Sequence, residues 1–106
     1  MANVYDGRVQ KVGRVESDGN VYNVRGELVG FVARDGRVFD YSSQPVGSVD
    51  WQGDIADPSG RPAGRVREDG GIYDRLDRYA GYVASGVDLR TMGGAALLLL
   101  TLAAWR

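Results

Sequence analysis

The sequence predicts an all-β domain with one C-terminal helix: five 17-residue β-hairpin repeats closed into a shallow pseudo-five-fold barrel around a central hydrophobic α-helix. Three observations predict it. Gly13, Gly30, Gly47, Gly64 and Gly81 recur every 17 residues with no insertion or deletion, the signature of a repeat architecture. Each interval holds two short β-type runs and two turn signals. The chain then ends on GGAALLLLTLAAWR, residues 93–106, in which the final arginine is the only charged side chain.

The first strand of each unit opens on a β-branched residue, Val4, Val21, Val38, Ile55 or Ile72. An aromatic follows in four of the five copies (Tyr5, Tyr22, Phe39, Tyr73, with Ala56 the exception), and then Asp6, Asn23, Asp40, Asp57 or Asp74. A polar, turn-prone segment such as DGRVQ or NVRGE leads to the second strand, which carries the constant glycine and, two residues on, Val15, Val32, Val49, Val66 or Val83. An Asp-Gly turn, a strong hairpin signal, closes the unit. The consensus is V-Y-D-x-x-x-x-x-V-G-x-V-x-x-D-G-x. A propeller blade needs four strands and about 40 residues, so this unit is one hairpin and the turn to the next. Alternation along the second strand puts Gly13 and Val15 on one face and Val12, Arg14 and Glu16 on the other. The valines are identical in all five copies, whereas the Arg14 position varies through Phe31, Ser48, Arg65 and Tyr82. The interior is therefore assigned to Val15, Val32, Val49, Val66 and Val83, with the glycines facing the same way.

A ring with one valine and one glycine inside each hairpin leaves a channel to be filled. Residues 92–105 make a helix of roughly 21 Å, short of the about 20 apolar residues that a bilayer core requires. Leu97, Leu98, Leu99 and Leu100 step around the whole helix circumference, so such a helix must be surrounded on every side. Ala95 and Ala96 are small where a channel is narrow, Gly93 and Gly94 allow close passage, and Asp88 or Thr91 can cap the start. The channel reading places Leu97, Leu98, Leu99, Leu100 and Leu102 in the barrel and Trp105 at its far mouth. The other reading makes the same residues a membrane anchor, with Trp105 and Arg106 at the interface. A ligand carrier would instead need a cavity beside Gly93–Ala96.

Composition bounds the chemistry. The chain has 106 residues, enough for a single domain, 1–106, with repeats over 4–88 and the helix over 89–106. Thirteen basic and 14 acidic residues give a net charge of −1, so a nucleic-acid partner has no electrostatic support. With neither cysteine nor histidine, thiolate chemistry and the commonest general base and metal ligand are missing. No Ser or Thr nucleophile with a neighbouring base stands out; the expectation is no enzyme, no catalytic residue, no metal and no cofactor. The first ten residues lack the layout of a secretory leader, so a cytoplasmic location is expected, peripheral to a membrane if the last stretch meets lipid.

Four sets remain as candidates for contact. The Asp6 set can open turns by bonding its own backbone; as a cation ring it is too wide. The Tyr5 set is read as packing between repeats. Trp51 breaks the repeat beside a turn, and with Tyr82 and Phe31 it is a candidate partner contact. Arg61, Arg65, Arg67, Arg75 and Arg78 would form a patch for anionic lipid or another protein if gathered on one face, but interleaved acidic residues predict a mixed surface.

The VYD…VG.V…DG units over residues 4–88 resemble the β-flower family of small bacterial repeat proteins, and five copies point to its five-petal form. The resemblance implies hairpin petals around a shallow symmetrical barrel, an architecture similar to the tubby C-terminal domain and the phospholipid scramblases, whose barrel encloses a C-terminal hydrophobic helix. Residues 89–106 sit where that helix would be. No basic cluster matches the phosphoinositide-binding residues of tubby domains, so no activity carries over. Ala56, in place of the aromatic, and Gln52, in place of the turn aspartate, predict irregularity at petals three and four. The expected role is a non-enzymatic binding or structural module, with a protein partner or membrane lipid as the candidate classes; the alternative is a membrane-associated protein anchored through the C-terminal helix.

Overall fold

The computed structural model describes residues 2–83 and 88–101, with the Thr101 side chain outside that description. Ten strands follow one another as β1 (Ala2–Asp6), β2 (Lys11–Val15), β3 (Asn20–Asn23), β4 (Leu28–Val32), β5 (Arg37–Asp40), β6 (Pro45–Val49), β7 (Asp54–Ala56), β8 (Pro62–Val66), β9 (Gly71–Asp74) and β10 (Tyr79–Val83). Each pairs antiparallel with its neighbours in sequence, and β10 pairs with β1, closing the barrel. The closing seam has the same register as the internal ones: Val4 faces Val83 and Tyr5 faces Tyr82, as Val21 faces Val15 and Tyr22 faces Arg14. Closure leaves no edge strand open for pairing.

Within every petal the pairing slips by one residue. Val4 faces Gly13 but Tyr5 faces Lys11, and the same shift recurs at Val21/Tyr22, Val38/Phe39, Ile55/Ala56 and across β9–β10. The bulged residue is Val12 or its equivalent. Strict alternation would put that residue on the outer face. A bulge breaks alternation and bends the strand, so Val12, Val29, Val46 and Ala80 are half-buried against the core, and Ala63 is buried within it. The expectation of an outward Val12 is corrected accordingly. So is the expectation of one apolar residue per petal inside the ring. Val4, Val21, Val38, Ile55 and Ile72 are all at most 1% exposed, and they join Val15, Val32, Val49, Val66 and Val83 in a single core.

The Asp-Gly turns take a form of their own. Asp18 and Gly19 are not the two central residues of a tight hairpin; Gly19 donates to the carbonyl of Glu16, and Glu16 donates to that of Asn20. This is a three-residue loop with the glycine in the left-handed region, φ 94°, as a type I turn with a bulge requires. Petals three and four are joined by the least regular turn. There Gln52 replaces the aspartate, and Asp50, two residues earlier, accepts from the Gln52 and Asp54 N–H groups instead. β7 keeps only three residues.

α1 (Leu89–Ala96) starts at Asp88, whose carboxylate accepts from the Thr91 N–H at 2.8 Å. It enters where Leu89 lies beside Gly36 and Arg90 beside Gly19, and it runs down the barrel axis. Gly93 is packed on Val32 and Val38, and Gly94 on Val15, so core valines take up the space beside Gly93–Ala96 among the described residues. The predicted continuous α-helix is then corrected at Leu97, where the chain widens into a π-helical segment, Leu97–Thr101. Its leucines take the petals in turn: Leu97 lies against Gly30, Leu98 against Gly13, Leu99 against Gly81 and Leu100 against Gly64. An α-helix advances about 100° per residue, whereas neighbours in a five-fold ring stand about 72° apart. A π turn advances by less per residue, which brings consecutive leucines into step with consecutive petals. A Cβ on any of these four glycines would collide with its leucine and with the backbone of the next strand. Among the described residues, no helix is long and apolar enough to cross a membrane.

Candidate functional site

With the core filled, three surfaces remain: the belt around the barrel and its two mouths. Along the belt, each residue of the Arg14 position faces one of the Tyr5 position across the boundary between petals. Arg14 lies over the Tyr22 ring at 4.6 Å, Phe31 stacks on Phe39 at 4.9 Å, and Tyr82 stacks on Tyr5 at 5.0 Å. Such cross-strand pairs stabilise a sheet. Phe31 and Tyr82 are therefore half-buried, with one face of each ring occupied by a neighbouring petal. Between petals three and four the corresponding pair is Ser48 and Ala56. These small side chains leave a groove of about 900 Å³, lined in part by Trp51, Asp54 and Arg65. Trp51 projects from the turn above it, 75% exposed. The structure does not bring Trp51 together with Phe31 or Tyr82 into one patch: each of those rings belongs to a different boundary.

The mouth through which α1 enters is acidic. Residues 16–20, 33–37, 50–54, 67–71 and 88–90 hold eight acidic and four basic side chains. The other mouth, toward which the leucines lead, is built from residues 6–11, 23–28, 40–45, 57–62 and 74–79, with six of each sign. At four of these five turns an aspartate is tied to its own backbone. Asp6, Asp40, Asp57 and Asp74 each accept from two N–H groups, two and four residues on. Asn23 does the same at the remaining turn, so the whole set opens turns as its residue types suggest. The Ser42 hydroxyl, with backbone N–H groups, holds the Asp40 carboxyl below its ordinary value; Ser59 does so for Asp57, and the Arg78 N–H leads at Asp74.

What sequence reasoning missed is the company these turns keep. Among the described residues seven large apolar side chains are exposed, and six of them, Val9, Val24, Leu28, Tyr41, Leu76 and Tyr79, stand at this exit mouth. Trp51 is the seventh, at the entry mouth. The fourth petal adds an exposed proline, Pro58, so every petal tip presents an apolar group. The signal was legible as single apolar residues inside otherwise polar turn segments such as DGRVQ. Beside the tips of petals four and five lies a cavity of about 530 Å³, with Leu99, Leu100, Arg75, Arg78, Asp57 and Asp74 among its lining. The five arginines divide, as a mixed surface predicts. Arg65, Arg67 and Arg78 are paired with Asp54, Asp77 and Asp74, while Arg61 and Arg75 stand at the exit mouth with no salt bridge among the described residues. Leu102 and Trp105, placed by the sequence at the far end of the helix, lie outside the described residues.

A closed ring of five bulged hairpins with a leucine seated on the glycine of four petals defines a five-fold β-flower. The chain matches the family model described as 5-fold beta-flower protein over residues 1–97 and belongs to that family. No curated protein and no solved structure matches it. The family match carries the flower itself; the further likeness to tubby domains and scramblases stays an expectation.

Proposed function

We propose that this β-flower is a non-enzymatic binding module whose contact face is the exit mouth. One observation carries the reading: among the described residues, six of the seven exposed large apolar side chains gather there, on the tips of separate petals, while the opposite mouth holds Trp51 alone. Exposed apolar groups concentrated in one place and interleaved with polar residues mark interaction surfaces. None of these side chains is needed to fill the core, which the valines and leucines already complete. The absence of cysteine and histidine from the sequence supports a binding role over catalysis. Against a helix that withdraws to anchor in lipid stand the four leucine–glycine seats, since withdrawal would empty a seat in each of four petals.

The test compares amide spectra of the isotope-labelled chain in buffer and in a concentrated extract of its source cells. Signals from residues 7–10, 24–27, 41–44, 58–61 and 75–78 are expected to shift or broaden, with those of the entry mouth unchanged. A footprint confined to the entry mouth or to the groove under Trp51 would move the contact face there. No footprint at all would remove the reading.

A further inference from the structure

We propose that the exit mouth docks end-on against an anionic phospholipid surface, the petal tips dipping into the interface while the helix stays inside the barrel. This rests on the reading of the exit mouth as the contact face and names its partner. Three features of that mouth fit lipid.

The first is the layout of the apolar groups. Val9, Val24, Tyr41 and Leu76 are 61% to 75% exposed and sit on four separate turns at one end of the barrel. A protein partner is ordinarily gripped by anchors clustered at the centre of a patch. A ring of separated tips instead suits a planar medium that accepts each tip independently. Tyr41 and Tyr79 have rings of the kind that settle at the membrane–water boundary.

The second is charge. Arg8, Lys11, Arg25, Arg61 and Arg75 lie among the tips, and among the described residues none of them makes a salt bridge. Four of the six acidic residues at the same mouth are turned back onto their own backbone N–H groups. The exit mouth is thus balanced at six of each sign, with five of its basic side chains outside any salt bridge among the described residues. The opposite mouth, with twice as many acidic as basic residues, is repelled by an anionic surface, so the field across the molecule orients it tips-first.

The third is the cavity beside petals four and five. Leu76, Ala80, Leu99 and Leu100 are among its lining, while Arg75 and Arg78 are matched there by Asp57 and Asp74. Its apolar part suits an acyl segment.

The experiment is co-sedimentation of the full chain with phosphatidylcholine vesicles, with and without phosphatidylserine. Binding is expected only with phosphatidylserine and is expected to weaken as salt rises. Arg8→Gln, Arg25→Gln, Arg61→Gln and Arg75→Gln should each weaken it about fivefold. The triple variant Val9→Ser, Tyr41→Ser, Leu76→Ser should weaken it at least about tenfold, while Trp51→Ser at the far mouth should leave it unchanged. All these positions are exposed, and thermal unfolding of each variant checks that the fold is kept. Hydrogen exchange on the vesicle-bound protein completes the set: the amides of Leu98, Leu99 and Leu100 should stay protected. Three results would overturn the inference: no binding of the wild-type chain to phosphatidylserine vesicles, equal binding by the tip variant, or loss of helix protection on binding, which would make the helix the anchor. If vesicle binding fails while the extract footprint still falls on the exit tips, the contact face stands and only lipid is lost. If both fail, both readings go.

Discussion

The two mouths of the barrel are made of the same turn, a three-residue loop whose last position takes a positive φ, and they treat that position differently. At the entry mouth it is glycine in every described petal: Gly19, Gly36, Gly53 and Gly70. At the exit mouth it is Val9, Gly26, Ser43, Gly60 and Asp77. Conformation alone does not explain the contrast, since φ lies between 64° and 94° throughout. Packing does. The carbonyl of each entry-mouth glycine accepts from the N–H of the valine one petal on, as Gly36 accepts from Val49. A Cβ at Gly19, Gly36 or Gly53 would strike that valine's carbonyl, whereas Gly26 and Gly60 have nothing within 4 Å. The entry turns are laced into the ring, and the exit turns are free tips. A repeat position becomes invariant where a neighbouring copy leans on it; where none does, the tips are free to take the side chains that contact requires.

The sharpest break of this comparison is Gly36→Ala. Its Cβ would meet the Val49 carbonyl and press on Leu89 at 3.3 Å, so a loss of about 3 kcal/mol is expected from strain and overpacking together, measured by denaturant unfolding. The matching change at the free mouth, Gly26→Ala, bears only the left-handed backbone penalty and should lose about 1 kcal/mol. Equal losses at the two sites would mean that φ, and not the neighbouring petal, explains the constant glycine. In the opposite direction, Val9→Gly replaces a β-branched residue held at φ 64° with a 65% exposed side chain, and a gain of about 1 kcal/mol is expected. That gain would come with weaker docking, since Val9 is one of the tips.

The smallest effect is acid. Three of the four aspartates with lowered pKa, Asp40, Asp57 and Asp74, are at the exit mouth, and Asp35, held mainly by the Arg37 N–H, is at the entry. A depressed folded value means that the ionised form is the one the turn stabilises. The contribution is present above the ordinary value of 3.8 and is lost as pH falls through the lower folded one. The protection of the Ser42, Gln44, Ser59 and Arg61 amides, and of Arg37 at the entry turn, should therefore fall below about pH 4. Unchanged protection at all five would show that these carboxylate bonds hold nothing of their own.

Much of the petal was readable from residues. The 17-residue period, the two strands, the turn aspartates and the inward valines follow from short-range rules, and the constant Gly13 position announced a close approach. The irregular junction at petals three and four was legible in Gln52 and Ala56, although the transfer of the turn bond to Asp50 was not. Packing of Tyr5 and Phe39 between repeats was legible in their recurrence; that Tyr82 and Phe31 are the partners was not, because those pairs are at opposite ends of the chain or eight residues apart, and only the closed sheet sets them side by side. The bulge that turns Val12 inward leaves no mark in a single strand, because it depends on how two strands slide past each other.

By itself the sequence determined what each repeat becomes, since a hairpin's strands and turns answer to residues a few positions apart. It also determined that the leucine helix must be covered on every side, since a helix of consecutive leucines has no wet face. Only the tertiary structure decided the rest: the seat that each leucine takes, the π-helical step that matches the petals, and the gathering of Val9, Val24, Tyr41 and Leu76 at one end. Those depend on closing ten strands into a ring, and closure brings together residues whose separation along the chain says nothing of their separation in space.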